Sequence, residues 1–260
     1  MTAIEAHGSY GAAQASPGAN GWVVTVEPAT ADAAAIGAAL EAVSEAAAWA
    51  GGGRLEFWVE ALQASDVRSD GAERAGFVAY RDLWQLRCPL PAKPDERIPR
   101  IQTRAYTPDD LDAFLEVNNR AFAWHPEQGG RTRDDIESIQ REPWYDPDGF
   151  RLYEVDGRLA GFCWTKEHRA VDPPLGEIYV IGVDPDFHGR GLGDALTRAG
   201  LDWLHGQGLE HGMLYVESDN DAANRTYDRI GFRHHQTNRA FERTVAAAPA
   251  VAAARQEAGR

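Results

Sequence analysis

Apolar and polar positions alternate most clearly in the last two thirds of the chain. FRLYEVDGRLAGFCWTKEH (150–168) holds two alternating runs around Asp156-Gly157, a dipeptide suited to a tight hairpin turn, and predicts two antiparallel strands. GEIYVIGV (176–183), GMLYVES (212–218) and HHQTNRAFER (234–243) read as further strands, and RIQTRAY (100–106) as one by alternation. Between them the apolar period changes to that of helices. TPDDLDAFLEVNNRAFA opens with Thr107 as N-cap and Pro108 at the first helical position, then places Leu111, Phe114, Leu115 and Phe122 at helical spacing. TRDDIESIQRE predicts a short helix capped by Thr132. A third helix begins in the glycines of GRGLGDALTRAGLDWLHGQG, and a fourth, NDAANRTYDRIGF, stops at Gly231. The predicted order is β-α-α-β-β-β-α-β-α-β.

Ahead of this region, CPLPAKPDERIPR (88–100) carries four prolines and reads as a linker centred on 91–99, because proline removes backbone donors and disfavours regular structure. Residues 1–20 and the alanine-rich tail from 244 to 260 predict disorder.

The 260 residues allow one large domain or two modest ones. A net charge of -14, with no visible Lys/Arg cluster, argues against nucleic acid as a main partner. No apolar run approaches the roughly 18 residues of a membrane span, and the start, MTAIEAHGSYGAAQASPGANG, lacks the pattern of a secretory signal. Two cysteines, Cys88 and Cys163, are too few for a disulfide framework. A cytoplasmic protein, without membrane association, is expected. The histidines at 125, 168, 205, 211, 234 and 235 form no metal-ligand pattern, and no metal is expected.

The candidate chemistry lies where a strand runs through DPDFHGRGLG into a helix. Gly191 and Gly193 let backbone approach a ligand closely. The helix start offers free N–H groups and the positive end of its dipole, a recipe for holding phosphate or pyrophosphate, with Arg190 adding charge. The segment is neither a GxxxxGK[ST] loop nor a dinucleotide GxGxxG fingerprint. A packing turn between strand and helix is the plainer reading of the same glycines.

V-D-P-x-x-H-G-R-G-L-G-x-x-L, followed by a strand and by Asn220, Ala223, Tyr227, Gly231 and Phe232 in N-x-x-A-x-x-x-Y-x-x-x-G-F, resembles the acetyl-CoA signature of the GNAT N-acetyltransferase superfamily. His188 stands where that family usually has Gln or Arg. The resemblance implies an α/β GNAT fold, a mixed central sheet flanked by helices. It implies that His188, Gly189, Arg190, Gly191, Leu192, Gly193 and Asp194 hold the CoA pyrophosphate. Ile181, Gly182 and Val183 would pair with the pantetheine arm, and Asn220, Asp221, Ala222, Ala223, Asn224 and Arg225 would complete the site.

An eroded copy of the signature precedes the linker. Aligned from their last leucines, VEPATADAAAIGAAL (26–40) and VDPDFHGRGLGDAL (183–196) match Gly37 with Gly193 but Ala35 with Gly191 and Ala34 with Arg190. FWVE (57–60) echoes LYVE (214–217), and AGF (75–77) echoes IGF (230–232). The chain thus reads as a tandem repeat, with a shortened, degenerate copy over 21–90 that is structural rather than CoA-binding and a complete domain over 100–243. A half-domain leaves a sheet edge to be covered; a monomer or weak dimer is expected.

NRAFAWHPEQGG, EPWYDPDGF, GFCWTK and LYVESDN are similar to the mycothiol synthase family of tandem GNAT proteins, which acetylate the cysteinyl amine of Cys-GlcN-Ins from acetyl-CoA. The resemblance implies Glu177 as base or amine-binding carboxylate, Tyr227 as the acid that protonates departing CoA thiolate, and Glu127, Lys166, Glu177 and Tyr215 as acceptor-binding residues. Trp124, Trp144 and Trp164 either line a sugar face or belong to the core. Two other readings stand beside this one: a GNAT acting on another small amine or a protein N-terminus, and a non-catalytic acyl-CoA-binding module.

Overall fold

A computed structural model describes residues 2–28, 30–63, 66–124 and 128–249. The chain forms two compact units. One takes the chain up to Leu83 together with the segment from Thr237; the other is Trp84–Gln236.

The first unit contains β1 (Ile4–Gly8), β2 (Gly11–Gly18), β3 (Gly21–Pro28), α1 (Ala33–Trp49), β4 (Gly53–Val59) and α2 (Val67–Arg74), then enters β5 (Val78–Pro89). Its strand order is β1-β2-β3-β4, closed by the end of β11 (Arg233–Val245), which pairs antiparallel with β4 from Arg239↔Val59 to Val245↔Gly53. The segment expected to be disordered, 1–20, instead supplies the whole of β1 and β2. Its apolar face is built from small side chains: Ala13 and Ala15 are buried against Trp22, Val24, Leu40 and Val43. Alanines at period two give a weak hydrophobic signal but fill a shallow sheet face.

The second unit holds the end of β5, β6 (Arg104–Ala105), α3 (Leu111–Ala121), α4 (Arg133–Gln140), β7 (Phe150–Val155), β8 (Arg158–His168), β9 (Leu175–Val183), α5 (Leu192–Gly206), β10 (His211–Glu217), α6 (Asp221–Ile230) and the start of β11. The strand order is β5-β10-β9-β8-β7-β6, with β9 and β10 parallel and β6 to β9 antiparallel. The expected element order holds, although RIQTRAY contributes only two paired residues. Thr132 caps α4 through a capping box with Asp135, and Thr107 makes the same box with Asp110 before a 3-10 turn and α3. Asp156 and Gly157, at φ 53° and 75°, form the hairpin turn of β7–β8.

The unit boundaries correct those expected from sequence. Residues 84–90 belong with the second unit and residues from 237 with the first, because β5 and β11 each run across the division. The linker 91–99 carries no helix or strand; of the tail, 244–245 finish β11 and 250–260 lie outside the described residues.

Candidate functional site

Strands β9 and β10 pair only over Gly176↔Gly212, Glu177↔Met213 and Ile178↔Leu214. Both continue past this ladder, β9 to Val183 and β10 to Glu217. On the other side of β9, Trp164 pairs with Val180 and Thr165 with Ile178, so Tyr179 is an extra residue, a β-bulge. A bulge bends its strand and re-aims the side chains around it. The backbone from Tyr179 to Val183 therefore has β8 on one side and no ladder partner on the other among the described residues, the opening that an added strand-like ligand requires.

Beyond β9 the chain makes a 3-10 turn at Pro185–Phe187 and enters α5 through the glycines. Gly189 and Gly191 have φ of 76° and 74°, a left-handed conformation that favours glycine. Gly191 is the N-cap of α5 and offers no side-chain acceptor. Within the described residues, the N–H groups of Leu192, Gly193 and Asp194 make no hydrogen bond; Ala195 is the first to be satisfied, by Gly191 O at 3.2 Å. A Cβ at Gly189, Gly191 or Gly193 would meet no atom within 4 Å. Gly193 is telling, since it has an ordinary helical backbone and no neighbour that forbids alanine. Neither conformation nor packing demands glycine there.

These groups border a cleft of about 430 Å³. Of the residues expected at the cofactor, Ile181, Val183, His188, Gly189, Gly191, Leu192, Gly193, Asp194, Asn220, Ala222 and Ala223 line it, joined by Phe187, Thr197, Thr226 and Arg229, which the motif did not mark. Others stand apart. Gly182 faces the ring of Phe162, and a Cβ added there would come within 2.7 Å of it. Arg190 lies over the Phe187 ring at 5.0 Å, and Asp221 and Arg225 pair with each other on the surface. Asn224 donates to the carbonyls of Glu217 and Ser218, tying the β10–α6 turn, while its Oδ1 is buried without a partner among the described residues. His188 turns its Nε2 onto Val183 O at 3.0 Å, pinning the loop to the end of β9.

Tyr227 is buried, lines the cleft and packs edge-on against Phe232. Burial, with a smaller contribution from Cys163, holds its phenol well above the ordinary tyrosine range, so it stays protonated. Glu177 does not line this cleft. It is buried on β9 before the bulge, with Oε2 2.7 Å from Nε2 of His168. Lys166 is directly across from Glu177 in the β8–β9 ladder, and its ammonium lies 4.4 Å above the Trp144 ring and 5.6 Å from that of Tyr179. Tyr215, half-exposed on β10, accepts a hydrogen bond from Gln85 Nε2 at 2.8 Å; Gln85 Oε1 in turn accepts from Arg87. Glu127 lies outside the described residues. Of the tryptophans, Trp164 is core, stacked on Phe150 at 4.4 Å, whereas Trp144 packs on Tyr179 and Trp124 is exposed.

Sequence reading missed His168 and Gln85. His168 becomes a neighbour of Glu177 only through the β8–β9 register, which places Lys166 and His168 on one face. Gln85 precedes the linker and reaches Tyr215 only because the end of β5 belongs to this unit. Among the described residues no group of three His, Cys, Asp or Glu is placed to hold a metal, and no helix is long and apolar enough to cross a membrane.

The first unit repeats the arrangement without its chemistry. Its parallel ladder, Trp22↔Leu55, Val23↔Glu56 and Val24↔Phe57, aligns FWVE with LYVE and puts Val23 where the other ladder has Glu177. In the leucine-anchored alignment, α1 begins three residues before the position equivalent to the start of α5. Ala33-Ala34-Ala35 continue the helix where Gly189-Arg190-Gly191 form a loop. Asp32 caps this extra turn, its carboxylate accepting from Ala34 N and Ala35 N at 2.9 Å each. The first amides of α1, those of Ala34 and Ala35, thus hold the Asp32 carboxylate, whereas the first amides of α5, those of Leu192, Gly193 and Asp194, make no hydrogen bond among the described residues.

The acetyltransferase (GNAT) family model matches residues 111–232. A mycothiol acetyltransferase of Streptomyces coelicolor is 45% identical over 208 residues, which cover 78% of this chain and 64% of that protein. One of Actinosynnema mirum is 45% identical over 204 residues, covering 76% of this chain and 67% of that protein. Among solved structures, a tandem GNAT protein from the clavulanic acid biosynthesis pathway superposes with a TM-score of 0.61 at 15% identity, covering 95% of this chain and 80% of that one, a likeness of fold alone. The chain spans 64% of the length of the Streptomyces coelicolor relative. On these matches, together with the glycine cradle and the parted β9 and β10, the chain belongs to the mycothiol acetyltransferase family of GNAT proteins.

Proposed function

We propose that this chain transfers the acetyl group of acetyl-CoA to the cysteinyl amine of Cys-GlcN-Ins. The observation that carries the reading is the open cradle at the start of α5. There the amides of Leu192, Gly193 and Asp194 make no hydrogen bond among the described residues, and the flanking glycines leave space for a pyrophosphate. The thioester would lie toward the parted strands, where the free backbone edge of Ile181 to Val183 supplies N–H groups to polarise its oxygen.

The acceptor amine attacks only when neutral, and a free α-amine ordinarily titrates near 7.7–8.0. Glu177 takes the first proton from the ammonium, directly or through water. The nitrogen then bonds to the acetyl carbon and the C–S bond breaks. Tyr227, kept neutral by burial, gives its proton to the departing sulfur. The second proton leaving nitrogen restores the phenol. Lys166, Tyr215 and Glu127 bind the hydroxyls and ammonium of the acceptor.

Release of CoA thiol from acetyl-CoA, measured with and without Cys-GlcN-Ins, tests this reading. Turnover that requires that acceptor supports it. Binding of acetyl-CoA without turnover on any amine would leave an acyl-CoA-binding module instead.

A further inference from the structure

From the contact between the two side chains, we infer that His168 is a positioning residue for Glu177, fixing one carboxylate oxygen so that the other serves as the base. The inference rests on the acetyl-transfer reading above. The imidazole Nε2 and Glu177 Oε2 are 2.7 Å apart, the distance of a charge-assisted hydrogen bond. Glu177 has only 9% of its side chain exposed and His168 27%, so the contact is largely shielded from water. No hydrogen bond to Glu177 Oε1 is given by the other described residues. With Nε2–H donated to Oε2, the carboxylate cannot rotate freely, and Oε1 is left to meet the acceptor ammonium.

The surroundings make His168 the group that can do this. Across β8, Lys166 is opposite Glu177 in register, but its ammonium sits over Trp144 and Tyr179. Glu167 turns to Arg169. On β10 the residue opposite Glu177 is Met213, which has no charge to offer. From the side of α3 and α4, Arg131 and Glu142 act on Tyr179, as Glu177 does. His168 is thus the group seen to bond the carboxylate directly.

Glutamine at 168 keeps an N–H donor that can reach the same carboxylate oxygen.

Steady-state kinetics of H168A and H168Q separate positioning from mere packing. H168A is expected to lose about 10- to 100-fold in kcat, with KM for acetyl-CoA unchanged. H168Q is expected to recover most of kcat. Wild-type kcat in H168A, or no recovery in H168Q, overturns the inference. NMR of the histidine ring nitrogens in the free protein reads the pair without any acceptor. A protonated Nε2 on His168 whose signal moves in E177Q is expected, and an unperturbed ring overturns the pairing. If the ring shows the pair yet the wild type does not acetylate Cys-GlcN-Ins, the choice of acceptor has failed and the pair stands.

Discussion

Asp32 and Gly191 cap corresponding helices in the two units, one with a carboxylate and the other with nothing. Asp32 accepts from the amides of Ala34 and Ala35, while Gly191 leaves the first amides of α5 without a hydrogen bond among the described residues. Val23 holds the ladder position that Glu177 holds in the second unit, so among the described residues the first unit has neither an open helix start nor a carboxylate at that place. Calorimetry is expected to count one acetyl-CoA per chain. Asp32→Ala should lower stability by about 1 kcal/mol, the usual cost of a lost N-cap, without adding a second site. A stoichiometry of two in the wild type would contradict this account of α1.

Gly193→Ala tests whether the cradle glycine serves a ligand. Its backbone is helical and the new methyl group meets nothing within 4 Å. Stability should rise, by up to about 1 kcal/mol from helix propensity. Affinity for acetyl-CoA should fall about tenfold or more. A variant that binds acetyl-CoA as well as wild type would assign the glycine to packing.

Much of this site was legible in the chain. The GRGLG loop, the Asp156-Gly157 hairpin and the N-x-x-A-x-x-x-Y helix are local patterns whose spacing fixes their geometry. What escaped is non-local or built from weak signals. β1 and β2 carry alanines where a stronger strand would carry valines. That the end of β11 joins the first unit depends on its pairing with β4, between residues as distant as Gly53 and Val245. The contact of His168 with Glu177 needs the antiparallel register of two strands, and that of Gln85 with Tyr215 joins residues on opposite sides of a proline-rich segment.

Gln85→Leu removes the donor that holds the Tyr215 phenol. A hydrogen bond contributes about 0.5–1.5 kcal/mol net, so KM for the acceptor should rise roughly two- to tenfold. Because Gln85 touches neither Glu177 nor the cleft residues named above, kcat should change little. A loss confined to kcat would separate Tyr215 from acceptor binding.

Alkaline pH should weaken the fold. Burial pushes the thiols of Cys88 and Cys163 up to about 12, and holds the Tyr227 phenol higher still. Unfolded thiols lose their protons near 8.5. Above that pH the unfolded state binds fewer protons than the folded one, so stability falls as pH rises toward 12. The thermal midpoint is expected to drop between pH 8.5 and 10.5, with both thiols unreactive toward a disulfide reagent until unfolding. Thiolate absorbance appearing near pH 8.5 in the native protein would contradict this.

The division of labour between Glu177 and Tyr227 is tested by single-turnover acetyl transfer to Cys-GlcN-Ins in the wild type, E177Q and Y227F, with acetyl-CoA affinity measured alongside. Each variant is expected to bind acetyl-CoA like the wild type and to slow acetyl transfer by about 100-fold or more, the usual scale of a lost general base or acid. Wild-type rates in both variants, with the acceptor still acetylated, would contradict the account.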